Sequence, residues 1–177
     1  MVLSSPLATR RPAVNARLGI GLIWLLLSLT CSAHAPAAAQ SGRSVPSRGT
    51  HSTWSVERDL FERVNAYRVS KGLSSLAWSD IIAKQARRHS REMASGAAPR
   101  GHGGFEERIA AIRKRLRVSA WGENVVGERS VEDAFRRLLD SPTHRKNLER
   151  EFDLTGVGAA TDARGLLYLT QIFAKSK

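Results

Sequence analysis

Cysteine is nearly absent: Cys31 is the only one in 177 residues. It lies in the N-terminal segment, so a chain processed after that segment has no disulfide, no zinc–cysteine centre and no thiol nucleophile. Acidic residues are also scarce, 16 against 28 Lys and Arg. Long apolar runs are limited to Leu18–Thr30, 13 residues without a charge. There is no H-E-x-x-H helix, and no serine stands in an evident pairing with a histidine and an acid, which removes the commonest hydrolase signatures. No internal repeat is present.

Residues 1–39 read as a secretory signal peptide. Arg10, Arg11 and Arg17 form a positive start, Leu18–Thr30 is the apolar stretch, and small residues from Cys31 to Ala39 make a cleavage zone. The preferred cut follows Ala37-Ala38-Ala39. An uncleaved anchor and a lipid-modified Cys31 are the rival readings. The apolar run falls short of the roughly 20 residues that cross a bilayer, and Thr30 is a poor neighbour for a lipidated cysteine. No stable membrane span is expected after signal removal. The expected location is secreted or periplasmic.

The remaining chain of roughly 140 residues is long enough to be held by its core alone. It stays basic, at +9, because the signal contains three of the 28 cations and none of the acids. Such a charge favours acidic surfaces, whether nucleic acid, anionic lipid or acidic envelope polymer. Export argues against nucleic acid, and no nucleic-acid motif is present. The plain alternative is that the charge only maintains solubility.

Residues 40–52 are polar, with Gly, Ser and Pro, and read as a linker before a domain at 53–177. Ser55 is expected to cap a helix with Val56, Leu60, Val64 and Tyr67 on one face, ended by Gly72. A short connection, Leu73 to Trp78, supplies apolar anchors. Ser79 caps a second helix with Ile82, Ala86, His89 and Met93 on one face, closed at Gly96. Gly96–Gly104 is loop. A third helical pattern places Ile109, Ile112 and Leu116 inward and Arg113, Lys114, Arg115 and Arg117 outward, with Arg108 able to turn in toward a carboxylate. Trp121–Val126 reads as a short strand or turn. Ser130 caps a fourth helix, and a helical turn follows Pro142. Leu154–Thr161 and Leu166–Ala174 read as two strands of a hairpin around Asp162–Gly165. Both runs are mostly apolar, so helices are expected on both faces of the sheet.

Three titratable residues stand out by context: His102 in the glycine-rich loop, Glu123 after Trp121-Gly122, and His144 after Pro142. Each interval is 21 residues, so only folding can bring them together. Two imidazoles and a carboxylate suit zinc or another divalent cation with one open position. The same trio could transfer protons without metal. His89, on the apolar face of its helix, reads as a core histidine bonded to neighbouring backbone. Trp78 and Trp121 read as core anchors.

Read in order, several segments resemble a known family. Asn65 and Arg68 in VNAYRVSKGLSSLAW, His89 and Met93 in ARRHSREM, and His102 with Phe105 and Arg108 come first. Gly122-Glu123-Asn124 follows, then Ser141-Pro142-Thr143-His144-Arg145 with Asn147-Leu148. Gly156-Val157-Gly158 and Tyr168 to Phe173 close the series. Together they are similar to a bacterial domain of the CAP superfamily, the cysteine-rich secretory, antigen 5 and pathogenesis-related-1 group, over about residues 56–174. The resemblance implies an α+β fold: a three-layer α-β-α sandwich with a small antiparallel sheet between helices and a cleft lined by two histidines and two acidic residues. His102, Glu123 and His144 take three of those places. The second acid has no match in register, because the chain reads Leu138-Leu139-Asp140-Ser141 there.

Two functions compete for that cleft. The first is non-enzymatic binding of a small apolar ligand or an acidic cell-envelope component, with His102, Glu123 and His144 as ligand-binding residues. The second is a zinc-assisted, protease-like hydrolase, in which His102 and His144 hold the metal and Glu123 serves as base toward bound water. In that reading the same three residues are the catalytic candidates.

Overall fold

The computed structural model describes residues 52–177; the signal peptide, its cleavage site and nearly all of the linker lie outside the described residues. In chain order the elements are α1 (Thr53–Ser70), β1 (Ala77–Trp78), α2 (Asp80–Ala94), α3 (Phe105–Arg113), β2 (Val118–Glu128), α4 (Val131–Asp140), α5 (Pro142–Glu149), β3 (Leu154–Thr161) and β4 (Leu167–Ser176). The strands form one sheet in the order β1-β3-β4-β2.

The cap of α1 is Ser52 rather than Ser55. Ser52 Oγ accepts from Ser55 N–H at 3.3 Å, and Ser55 Oγ returns a bond to Ser52 O at 2.7 Å. Either serine satisfies the capping chemistry, so spacing alone did not choose between them. The earlier start puts Trp54 edge-on to Trp78, ring centroids 5.7 Å apart. The apolar stripe also differs from the expected one: Val56 and Tyr67 are half-buried, while Glu57 and Arg68 join Leu60 and Val64 in the interior.

Both buried charges are fully engaged. Glu57 pairs with Arg87 of α2 (Nη2–Oε2 2.7 Å) and accepts from the β3 backbone at Ala159 N–H. Arg68 has no carboxylate. It donates instead to the carbonyls of Ser74, Leu148, Arg150 and Phe152 at 2.7–3.2 Å. Asn65 bonds both the N–H and the C=O of Leu76. One turn of α1 thus fixes the chain that enters β1 and the chain that leaves α5.

β1 is the feature the sequence reading lacked. Two residues of the Leu73–Trp78 connection pair parallel to β3 at Leu154 and Thr155, so the sheet is mixed rather than wholly antiparallel. A strand this short leaves no periodic pattern to read. β2 is an 11-residue strand, longer than the expected strand or turn, and runs antiparallel to β4. β3 and β4 form the expected hairpin.

Alternation along the strands divides the core. Val126, Val157, Ala159, Leu169 and Phe173 pack with Leu60, Val64, Leu138 and Leu148 from α1, α4 and α5. Ile172, Ala174 and Val118 pack with Ile82, Ala86, Ile109 and Ile112 from α2 and α3. The result is the α-β-α sandwich. α2 sits directly on β3 because Gly156 and Gly158 present no side chain there. A Cβ would stand 2.2 Å from Ala83 N and 2.1 Å from Arg87 N. Among the described residues no helix is long and apolar enough to cross a membrane.

Candidate functional site

β2 is an edge strand, and its pleat sends consecutive side chains to opposite faces. Glu123 lies opposite Ile172 and faces the α2–α3 side; Gly122 and Asn124 face α5. A Cβ on Gly122 would meet Asn147 Oδ1 at 3.0 Å and Phe152 Cζ at 3.2 Å, so glycine lets α5 approach. Asn124 Nδ2 donates to His144 O at 3.1 Å. Asn147 Nδ2 donates to Glu123 O at 3.1 Å and Asn124 Oδ1 at 2.9 Å. The Gly-Glu-Asn and Ser-Pro-Thr-His segments are thereby stitched together. Ser141 caps α5 with Pro142 in its first turn, the start that places His144 one turn in.

The Glu123 carboxylate is buried and held by two partners. Arg108 Nε donates to Oε2 at 2.9 Å and Nη2 to Oε1 at 2.8 Å, a bidentate pair with Arg108 only 2% exposed. His102 Nδ1 donates to Oε1 at 2.9 Å, which leaves Nε2 as the free nitrogen of a ring 55% exposed. Arg108 Nη1 also donates to Gly103 O at 2.7 Å and so ties the glycine-rich loop down. His89 holds the same loop from below: its buried ring bonds Gly101 O at 2.8 Å, the backbone-bonded core role expected of it.

His144 lies across the strand edge. Its Nδ1 is buried without a partner. Its pKa is lowered, first by burial and then by electrostatic interaction with His102 and with the Arg137 guanidinium. Folding therefore brings Glu123 and His102 into contact and sets His144 within electrostatic reach of His102. Asp140, the nearest stand-in for the second acid, is exposed at the end of α4 and makes no hydrogen bond or ion pair among the described residues.

A pocket of about 140 Å³ opens beside His144, floored by Val125–Gly127 and rimmed by Arg100, Glu128 and Arg137. Arg100 lies over Gly127; a Cβ there would come within 3.2 Å of its Cδ. Neither arginine stood out in the sequence. Arg100 is one charge in a flexible-looking loop, and Arg137 sits on the outer face of an amphipathic helix. Only folding shows that both border one pocket.

Of the three candidate ligands, Glu123 accepts two bonds from Arg108 and one from His102, while His102 Nε2 and the His144 ring make no hydrogen bond among the described residues. Among the described residues no group of three or more His, Asp or Glu converges to hold a metal ion. Three protein ligands are the usual minimum for a catalytic zinc centre.

Three solved structures share this fold. An outer surface protein from Borrelia burgdorferi is 18% identical with a TM-score of 0.64, over 71% of this chain and 96% of that one. An extracellular protein containing an SCP domain from Bacillus anthracis is 27% identical with a TM-score of 0.58, over 68% of this chain and 40% of that one. A cysteine-rich secretory protein from Staphylococcus aureus is 19% identical with a TM-score of 0.60, over 72% of this chain and 40% of that one. The chain thus spans less than half of the latter two. No curated protein sequence matches it. Residues 61–173 match the family model described as CAP, cysteine-rich secretory protein family, and the chain belongs to that family.

Proposed function

We propose that the protein is an exported, non-enzymatic binding domain whose β2-edge pocket takes one acidic group of a cell-envelope component. The observation that carries this reading is the charge arrangement. Arg108 neutralises Glu123, while Arg100 and Arg137 rim the pocket against a single acid, Glu128, which stands 4.0 Å from Arg137 and leaves one positive charge in excess. An anion there would meet two guanidinium groups, which are the side chains best shaped for carboxylate and phosphate. The two similar structures named as an outer surface protein and an extracellular protein support export.

The pocket's size favours an acidic group over an apolar ligand, since sites for drug-sized apolar molecules usually hold roughly 300–1,000 Å³. Metal-assisted hydrolysis has less support, because its base would be a carboxylate already committed to Arg108.

The test is an NMR titration of the protein with inorganic phosphate, and separately with glucuronate, following the Arg100 and Arg137 Nε–H signals. Both are expected to shift and saturate together with the His144 ring. Arg137→Gln should weaken binding about tenfold, the loss of one charge-assisted hydrogen bond. Equal, unsaturating shifts at every arginine would overturn the proposal.

A further inference from the structure

We infer that the protein has a second surface, remote from the pocket, which docks a linear acidic polysaccharide. It is formed by the end of α3, the first half of α2 and the tail of β4. Lys84, Arg113, Lys114, Arg115, Arg117 and Lys177 are all exposed there. Among the described residues none of the six forms an ion pair. Elsewhere Arg58 pairs with Glu62, Arg63 with Asp59, Arg88 with Glu92, and Arg136 with Glu132 and Asp133. Arg91, Arg145 and Lys146 are also exposed without an ion pair, but they border neither of the two grooves of this flank, which gathers five of its six unpaired cations around them.

Cations at a helix C-terminus complement its dipole, which accounts for Arg113 and Lys114 at the end of α3. It does not account for Lys84, Arg115, Arg117 or Lys177. Two carboxylates lie nearby and both are engaged: Asp80 accepts from Trp78 Nε1 at 2.9 Å, and Asp153 accepts from Ser176 N–H and Oγ at 2.8 and 2.6 Å and pairs with Lys175 at 3.4 Å. The two acids of α3, Glu106 and Glu107, lie in its first turn, at the opposite end.

Two grooves run through the patch and share the last turn of α3. One, of about 380 Å³, lies between α2 and α3 and is bordered by Asp80, Lys84, Gln85 and Arg115. The other, of about 170 Å³, is bordered by Arg113, Leu116, Arg117 and Lys177. Two grooves flanking one helix end suit a chain-like partner better than a flat bilayer. The only large apolar side chain exposed along them is Ile81, at 36%, so there is little to insert among lipid tails. Trp121 lies beneath the Arg113 guanidinium, 5.4 Å from its ring centroid, and is not free to stack on a nucleobase.

This surface is independent of the pocket. Val118, in the second groove, and Val126, in the pocket floor, are eight residues apart on β2, a rise of roughly 26 Å.

The test is fluorescence anisotropy with fluorescein-labelled linear polygalacturonate at low and at physiological salt. The wild-type protein should bind, and more weakly as salt rises, because exposed charges are screened. The variant Lys84→Gln/Arg115→Gln/Arg117→Gln should lose about tenfold in affinity, from three exposed charge contacts each worth a factor of about two. The pocket variant Arg100→Gln/Arg137→Gln should lose less than about twofold in polymer affinity while losing phosphate binding, which separates this surface from the proposed pocket. Melting temperatures check that each variant is folded. Arg117→Gln/Lys177→Gln is the second variant if the triple one is not, and it should lose about fourfold. Unchanged affinity in the folded variants would overturn the inference. So would tighter, equally charge-dependent binding to single-stranded DNA or to anionic vesicles.

Discussion

Replacing Glu123 by glutamine keeps its shape and removes its charge. Arg108 then remains buried at 2% exposure with no counter-charge. Two charge-assisted bonds, at 2.9 and 2.8 Å, and the 2.9 Å contact to His102 are weakened together. Breaking one side of a buried pair typically costs about 3–5 kcal/mol. The glutamine oxygen can still accept one bond from Arg108, so the lower end applies, about 3 kcal/mol. That is a large share of a domain stability of roughly 5–15 kcal/mol. In urea unfolding, with a slope of about 2 kcal/mol/M for a protein this size, the midpoint should fall by roughly 1.5 M with the slope unchanged. Removing both partners, Arg108→Met/Glu123→Leu, should cost less than Glu123→Gln alone, because no bare charge is left inside. A midpoint shift under about 0.3 M for Glu123→Gln, or a double variant worse than the single one, would refute a charge-neutralising role for Arg108.

Three further outcomes follow from the geometry. His144 has a folded pKa below its unfolded value, so the unfolded chain binds more protons; its contribution to stability is complete above about pH 6.5 and is lost as pH falls below that. Melting temperatures from pH 8 to 5 should show this slope in the wild type and a shallower one in His144→Gln. Gly158→Ala drives a Cβ into the α2 backbone and should cost about 3 kcal/mol or more, whereas Gly103→Ala, with open space around it, should stay within about 1 kcal/mol of wild type by chemical denaturation. Arg68→Met strips four carbonyls of their donor and should cost about 3 kcal/mol, read in the same assay.

The legible parts of the fold were those with a period or a cap. Ser79 and Ser130 each accept from a backbone N–H in the first turn of the helix they precede, as read, whereas the cap of α5 at Ser141 was not foreseen. The α2 face of Ile82, Ala86, His89 and Met93 is buried as its spacing implies. Glu57 and Arg68 were not legible as core, because helix periodicity sorts residues by polarity and cannot show that a distant Arg87 or a set of carbonyls will satisfy them. β1 was too short to carry a pattern. At the candidate site, His102, Glu123 and His144 were singled out by local context and family resemblance, and folding joins His102 to Glu123. Arg108 appeared only as one option for an arginine in a basic run. Arg100 and Arg137 gave no sequence signal, since their meeting at one pocket depends on where the edge of β2 meets the loop and the end of α4.

Whether the pocket selects anions over cations is decided most directly by calorimetric titration of the folded protein with zinc and, separately, with inorganic phosphate at pH 7.5. With Glu123 neutralised by Arg108, phosphate should bind saturably and the Arg100→Gln/Arg137→Gln variant should lose that binding, while zinc gives no stoichiometric site. One equivalent of tightly bound zinc, lost in both His102→Ala and His144→Ala, would contradict it.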